Sequence, residues 1–322
     1  MFARWRVLLL VGYSLGITSA FAQALPDKPV KIVVPYPAGG ITDTLGRLIA
    51  KGLSDEWGQP VIVDNRAGAA GNIGSDYVAK AAPDGYTLLV NSGPTMVISH
   101  QLYGNLAYDP LKDLSPVTQA VVLPNILVVH PSIPAKTVPE LIALLKSNPG
   151  KYNFASAGTG TVGHMAGELF KHMAGVDMVH VPYKGAQPAM MDLLSGRTQI
   201  FFDTIASSLP QVKAGHLRVL GVSSAKGSPL LPDVPTISQA GVPGFDANPS
   251  FGVFAPKGTP AQLVAKIGKE IDRILSIPEN RQKLEGLGCE IAAGTPEQFA
   301  VYMREQSDKW GQLIRDARIT GN

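Results

Sequence analysis

The chain is poor in cysteine, in charge and in long apolar runs. One cysteine, Cys289, stands in 322 residues, which excludes an internal disulfide framework and any zinc site built from cysteine clusters. Charged residues make up only 16%, and 28 Lys+Arg nearly balance 25 Asp+Glu. A near-neutral chain without a basic stripe lacks the electrostatic footprint of a nucleic-acid binder, so no such partner is expected. Beyond the N-terminus no stretch reaches the ~20 apolar residues that cross a membrane. Pro124 interrupts the best one, residues 121–129. The six histidines form neither an HxH pair nor an HExxH motif, so neither a metal nor a cofactor is expected.

What is present is apolar material and turn chemistry. Hydrophobic residues make up 45%, which rules out a disordered chain, and 34 Gly with 26 Pro imply many tight turns. Residues 1–24 read as an export signal: Arg4 and Arg6, then the apolar run 7–18, then Ala22-Gln23-Ala24 as a small-x-small cleavage site. Cleavage near Ala24 takes the formal charge from +3 to about +1 and predicts a periplasmic protein.

Short strands alternate with helices. Residues 30–34 (VKIVV), 61–63 and 87–90 read as strands, with helices over 41–53 and from Gly74 to about Ala82. This β-α-β-α-β order predicts a parallel sheet. A second series follows, with strands at 126–129, 152–155, 178–181, 199–202 and 219–222, and helices near 137–147, 164 onward and 188–194. Residues 228–249 hold five prolines and no periodicity, and read as a connector. Three capping boxes are expected, at Thr137–Glu140, Thr259–Gln262 and Thr295–Gln298. The helix after Pro260 carries Leu263, Val264, Ile267, Ile271, Ile274 and Leu275 on one stripe, and the last helix turns Phe299, Met303, Trp310 and Leu313 inward. The expected division is lobe one at 25–124 plus 251–322 and lobe two at 125–250, with crossings near 126–129 and 251–255.

Two strand–glycine–helix junctions carry the chemistry: Pro35–Gly40 before one helix, and Ser156–Thr161 before another. A helix start leaves backbone N–H groups unpaired and carries roughly half a positive charge, and glycine lets an anion approach closely. Ligands of open α/β sheets lie beyond the carboxyl ends of strands, so both junctions can face one cleft. Gly158–Gly163 also spells GxGxxG. The next strand, however, ends at Pro182-Tyr183-Lys184-Gly185 without the acid that would hold a nucleotide ribose. Gly221–Ala225 half-matches a nucleophile elbow but lacks its last glycine. His164 is placed to cap or to touch ligand, and Asp203, after an apolar strand, to touch ligand or to cap Thr204. Tyr36, Phe202 and Phe251 could stack on an aromatic acid.

Six stretches in order resemble the Bug family, the extracytoplasmic solute receptors of tripartite tricarboxylate transporters. They are Pro35–Gly40 with Asp43 and Arg47; Asp64-Asn65-Arg66-Ala67-Gly68 through Gly74; Pro83–Leu89; Gly158–Thr161 with His164, Ala166–Glu168 and Phe170; Val181–Gly185; and Leu231–Thr236. The chain departs at Asn248-Pro249-Ser250, where the family pattern leads one to expect an aromatic pair. The resemblance implies a two-lobed α/β periplasmic binding fold, type II-like, each lobe a mostly parallel sheet flanked by helices. It implies a non-enzymatic, monomeric receptor that closes on a small carboxylate (a di- or tricarboxylate, acidic amino acid or aromatic acid) and delivers it to membrane permease subunits. The ligand contacts it implies are Tyr36, Ala38, Gly39, Gly40, Ser92, Ser156, Gly158, Thr159, Gly160, Thr161, His164 and Asp203. Asp43, Arg47, Asn65 and Arg66 would support the first loop from behind. A sensory receptor, or an exported hydrolase or lyase using His164 and Asp203, are the competing readings.

Overall fold

The computed structural model describes residues 26–321; the export signal and its cleavage point lie outside them. The first stretch of chain forms β1 (Val30–Val34), α1 (Ile41–Trp57), β2 (Val61–Asn65), α2 (Asn72–Ala79), β3 (Thr87–Ser92), α3 (Gly93–Tyr103) and β4 (Leu114–Val122). The middle forms β5 (Asn125–Val129), α4 (Val138–Ser147), β6 (Asn153–Ser156), α5 (Val162–Ala174), β7 (Val179–Pro182), α6 (Ala186–Leu194), β8 (Ile200–Thr204), α7 (Ile205–Lys213) and β9 (Arg218–Val222). The chain then returns as β10 (Ser250–Pro256), α8 (Ala261–Ser276), α9 (Pro278–Gly286), β11 (Glu290–Ile291) and α10 (Pro296–Asp316).

Two sheets result, in the orders β11-β4-β10-β3-β1-β2 and β7-β6-β8-β5-β9. Each contains one parallel wind in which the first strand lies between the other two: β1 between β2 and β3, and β6 between β7 and β8. Helical crossovers make that pairing parallel. The sheets are mixed rather than mostly parallel, because a strand arriving from the other half runs against each wind. β10 pairs antiparallel with β3 and β4, and β5 pairs antiparallel with β8 and β9.

Apolar residues alternate across the sheets as a strand's period of two requires. Val30, Ile32 and Val34 face one cluster with Leu45, Ile49, Ile271 and Leu275, while Val33 faces another with Leu89, Val97 and Phe254. Burial on both faces explains why β1 reads as a near-continuous apolar run, interrupted only at Lys31. A third cluster covers one face of the second sheet, with Leu127, Phe154, Met165, Phe170 and Phe202. Ile98 of α3 and Trp310 and Leu313 of α10 belong to it, so two helices outside the middle stretch complete its core.

Thr295 makes the full capping box, its hydroxyl accepting from Gln298 N–H while Gln298 reaches back to Thr295 N–H. At Thr137 the box slips by one residue: Thr137 accepts from Glu140 N–H, but Glu140 takes the N–H of Lys136. Thr259 caps nothing; its hydroxyl donates to Pro256 O and Pro260 stands at the cap. Strands β4 and β11 and helices α3, α7 and α9 are absent from the sequence reading.

Candidate functional site

Loop 35–40 leaves the carboxyl end of β1, the strand between two parallel neighbours. It is held from behind by one buried carboxylate. Asp43, 4% exposed, accepts from Gly39 N–H at 3.0 Å, Arg47 Nε at 2.9 Å and Asn65 Nδ2 at 2.9 Å. Asn65 Nδ2 also reaches Tyr36 O at 3.1 Å, and Arg47 donates to Asn65 Oδ1. Burial alone would raise the Asp43 pKa. Hydrogen bonds from Arg47, Gly39 and Asn65 outweigh it and hold the carboxylate ionised below its usual range. Three of the four expected supports therefore act together. Arg66 does not join them: its Nε bonds Asp64 at 2.8 Å and its guanidinium lies 3.6 Å from the Tyr77 ring centroid.

Ahead of these supports, Ala38, Gly39 and Gly40 are exposed. Gly40 is the extended N-cap of α1 and carries no side-chain cap. The first helical bond runs from Thr44 N–H to Gly40 O. The N–H groups of Ile41, Thr42 and Asp43 thus have no acceptor among the described residues, as a helix start leaves them. Gly39 N–H is committed to Asp43.

Loop 156–161 leaves β6, the equivalent strand of the second sheet, and differs sharply. Gly158 N–H donates to Ser156 Oγ, Thr161 N–H to Gly158 O, and Gly160 N–H to His164 Nδ1 at 3.2 Å. His164 N–H in turn meets Thr161 Oγ1. The loop's own carbonyl, hydroxyls and imidazole thus take four of its amides, while the N–H groups of Ala157, Thr159, Val162 and Gly163 have no acceptor among the described residues. The helix start also sits hard on the sheet: a Cβ on Gly163 would come within 2.5 Å of Phe202 O.

His164 is 3% exposed and stacks on His180 with centroids 3.9 Å apart. Burial, with His180 and Lys171 nearby, depresses its pKa to about 3. Burial and Lys171 bring His180 down to about 4, and its Nε2 lies 2.7 Å from Ser156 Oγ. Both imidazoles are neutral at pH 7, and the His164 Nδ1 that accepts from Gly160 carries no proton. His164 positions the loop; it does not present a ring nitrogen to solvent.

The two loops meet through the glycine-rich turn around Gly68 and Gly71, to which the sequence reading assigned no site residue. Ala69 and Ala70 have φ of 47° and 52°, a left-handed conformation that alanine rarely adopts. Tyr36 Oη lies 3.4 Å from Ala70 O, and a Cβ on Gly158 would be 3.9 Å from the Ala70 Cβ. One on Gly160 would be 3.1 Å from Ser99 Oγ of α3, and Tyr103 Oη reaches Thr159 O at 3.4 Å. The strained alanines give no sequence signal, because their neighbours Gly68 and Gly71 already account for a turn.

Ser92, 2% exposed, caps α3 through Thr95. Asp203, 5% exposed, takes the Ser208 hydroxyl at 2.7 Å, along with Ser207 and Thr204 N–H. Its pKa rises to about 6, driven by burial and moderated by those bonds. Of the two roles open to it, the capping one is what the structure displays. Among the predicted contacts, then, Ala38, Gly39 and Gly40 are exposed and Tyr36 and Thr159 half-buried, while Ser92, Ser156, Gly158, Gly160, Thr161, His164 and Asp203 are buried. Two surface hollows, one beside Trp57 and Glu270 and one along 226–239, share no residue with either loop.

Residues 45–319 match the model of the tripartite tricarboxylate transporter family receptor. The chain belongs to that family. BugT of Bordetella pertussis is 34% identical, over 97% of this chain and 97% of that protein. An R. palustris protein solved with adipate superposes with a TM-score of 0.87 at 37% identity, covering 92% of this chain and 99% of the other. MatC from Rhodopseudomonas palustris, solved with bound malate, gives 0.84 at 33% identity, over 90% and 99%. These relatives make the chain a Bug-type solute-binding receptor of the two-lobed periplasmic binding fold, in a family that is not enzymatic.

Proposed function

We propose that this receptor captures a small carboxylate in the periplasm and delivers it to the permease subunits of a tripartite transporter. The observation that carries the reading is the start of α1. An exposed glycine loop leads into three unpaired N–H groups, and the buried Asp43–Asn65–Arg47 cluster fixes it from behind. Such a start attracts an anion without spending a lysine or arginine on it. Adipate and malate in two relatives support a carboxylate as the anion. Residues 25–124 plus 251–322 form one lobe and 125–250 the other, closing as a monomer over loops 35–40 and 156–161. A catalytic role for His164 finds no support, since its ring is buried, neutral and engaged with Gly160.

Titration calorimetry of the mature protein against adipate, malate, acidic amino acids and aromatic acids tests the capture step. Reversible binding of one acid with unchanged ligand recovered afterwards is expected. No binding across the panel, or turnover of a bound acid, refutes it. Loss of uptake of that acid in a deletion strain tests delivery, and intact uptake with loss of a transcriptional response identifies a sensor instead.

A further inference from the structure

One buried amide stands at the ligand-facing end of the second sheet with nothing to bond. Asn125 opens β5 and is 2% exposed, and its Nδ2 is buried without a hydrogen-bond partner among the described residues. An unpaired buried donor costs stability, so native structures seldom keep one without a use.

The register places this amide. Asn125 lies opposite Thr204, the last residue of β8, at the carboxyl end of that strand. Loop 156–161 leaves the neighbouring parallel strand at the same end. Leu127, two residues on and therefore on the same face, pairs with Phe202 and shares its apolar cluster with Val162 and Met165 of α5. The close approach of Gly163 to Phe202 O puts the start of α5 on that strand. Asn125 thus sits beside a helix start that has already committed the Gly160, Thr161 and His164 amides and keeps those of Val162 and Gly163 free among the described residues. From across the interface Ser99 Oγ, fully buried and also without a partner, faces Gly160.

We propose that Asn125 is a specificity-determining residue of the second lobe, its side-chain amide donating to an oxygen of the bound carboxylate beside the N–H groups that loop 156–161 leaves free. This rests on the receptor reading above. A neutral amide suits the position: it adds a donor without a charge that would need a buried partner.

Two variants test it by calorimetry and thermal melting, with adipate and malate as probes. Asn125→Leu removes the donor while keeping bulk. Affinity for the acid that the wild type binds should fall about 10- to 100-fold, the loss expected for a buried bond to a charged acceptor. The ligand-free melting temperature should hold or rise, because an unbonded buried amide contributes nothing to the fold. Asn125→Asp should lose affinity more severely at pH 8 than at pH 5, where protonation restores a donor. Wild-type affinity in both variants overturns the proposal. So does a ligand-free melting temperature that drops in Asn125→Leu without any fall in affinity, which would mark a structural amide. Absence of binding in the wild type itself defeats the receptor reading and this inference together, whereas wild-type binding with insensitive variants defeats the inference alone.

Discussion

His164 offers the most quantitative test of how the second loop is held. Its folded pKa is about 3 against an ordinary 6.5, so the native state refuses a proton that the unfolded chain accepts. The stability this burial retains is complete above pH 6.5 and drains away as pH falls from 6.5 toward 3. At 1.36 kcal/mol per pH unit, the passage from pH 6.5 to pH 4 removes about 3 kcal/mol through this group alone. That is a large share of the 5–15 kcal/mol typical of a folded domain. His164→Asn keeps an acceptor for Gly160 N–H and abolishes the titration. Urea unfolding at pH 7 and pH 4 should show the wild type losing about 3 kcal/mol more than the variant. The contribution of Asp203 is common to both proteins and cancels, whereas His180, stacked on His164 and coupled to it, does not, so the difference reads the titration of the imidazole pair. Equal losses in the two proteins would refute the placement of His164 as a buried neutral acceptor.

Asp203 titrates in the opposite sense. Its folded pKa, about 6 against 3.8, means that its stability contribution is present in acid and lost as pH rises from about 4 to about 6. Asp203→Asn should therefore unfold at higher urea than wild type at pH 8, by about 1–3 kcal/mol, and a less stable variant contradicts that. Asp43→Ala should free Gly39 and loosen loop 35–40, weakening carboxylate affinity on the order of ten-fold by calorimetry; unchanged affinity would show that the loop holds its shape alone. Gly163→Ala forces a methyl against Phe202 O and should cost about 1–3 kcal/mol of stability in denaturant melts.

The parallel winds were legible because local and tertiary signals agree in them. Residues 30–34 and 87–90 are β-branched or leucine-rich runs buried on both faces, and Pro83-Asp84-Gly85 punctuates the turn before β3. What escaped was structure set by distant partners. Helix α3 opens on Gly93-Pro94, which reads as a turn, and its apolar residues split between two clusters, so no single stripe shows. Helix α7 contains Pro210, and β4 contains Pro116, each an apparent breaker. In the site, the i,i+4 spacing of Asp43 and Arg47 was visible, because helix geometry alone brings them together. The commitment of the Gly158 and Gly160 amides was not, since Ser156 Oγ and His164 Nδ1 reach them only once β6 and α5 are folded. Asn125 was invisible for a related reason: a missing bond leaves no trace in a sequence.

Because α1 begins without a side-chain cap behind an exposed glycine loop and α5 begins capped by Thr161 beneath a largely buried one, an anion arriving from bulk water meets its most open amides on the first side. Under the proposed function, contact with the first half and contact with the second are then successive events. On that reading the arrival rate belongs to the glycine mouth of the first half, and the residence time to whatever contacts the second half adds. Substitutions around Gly40 should consequently be felt in how fast a guest is caught, and those deep in the opposite wall in how long it is kept.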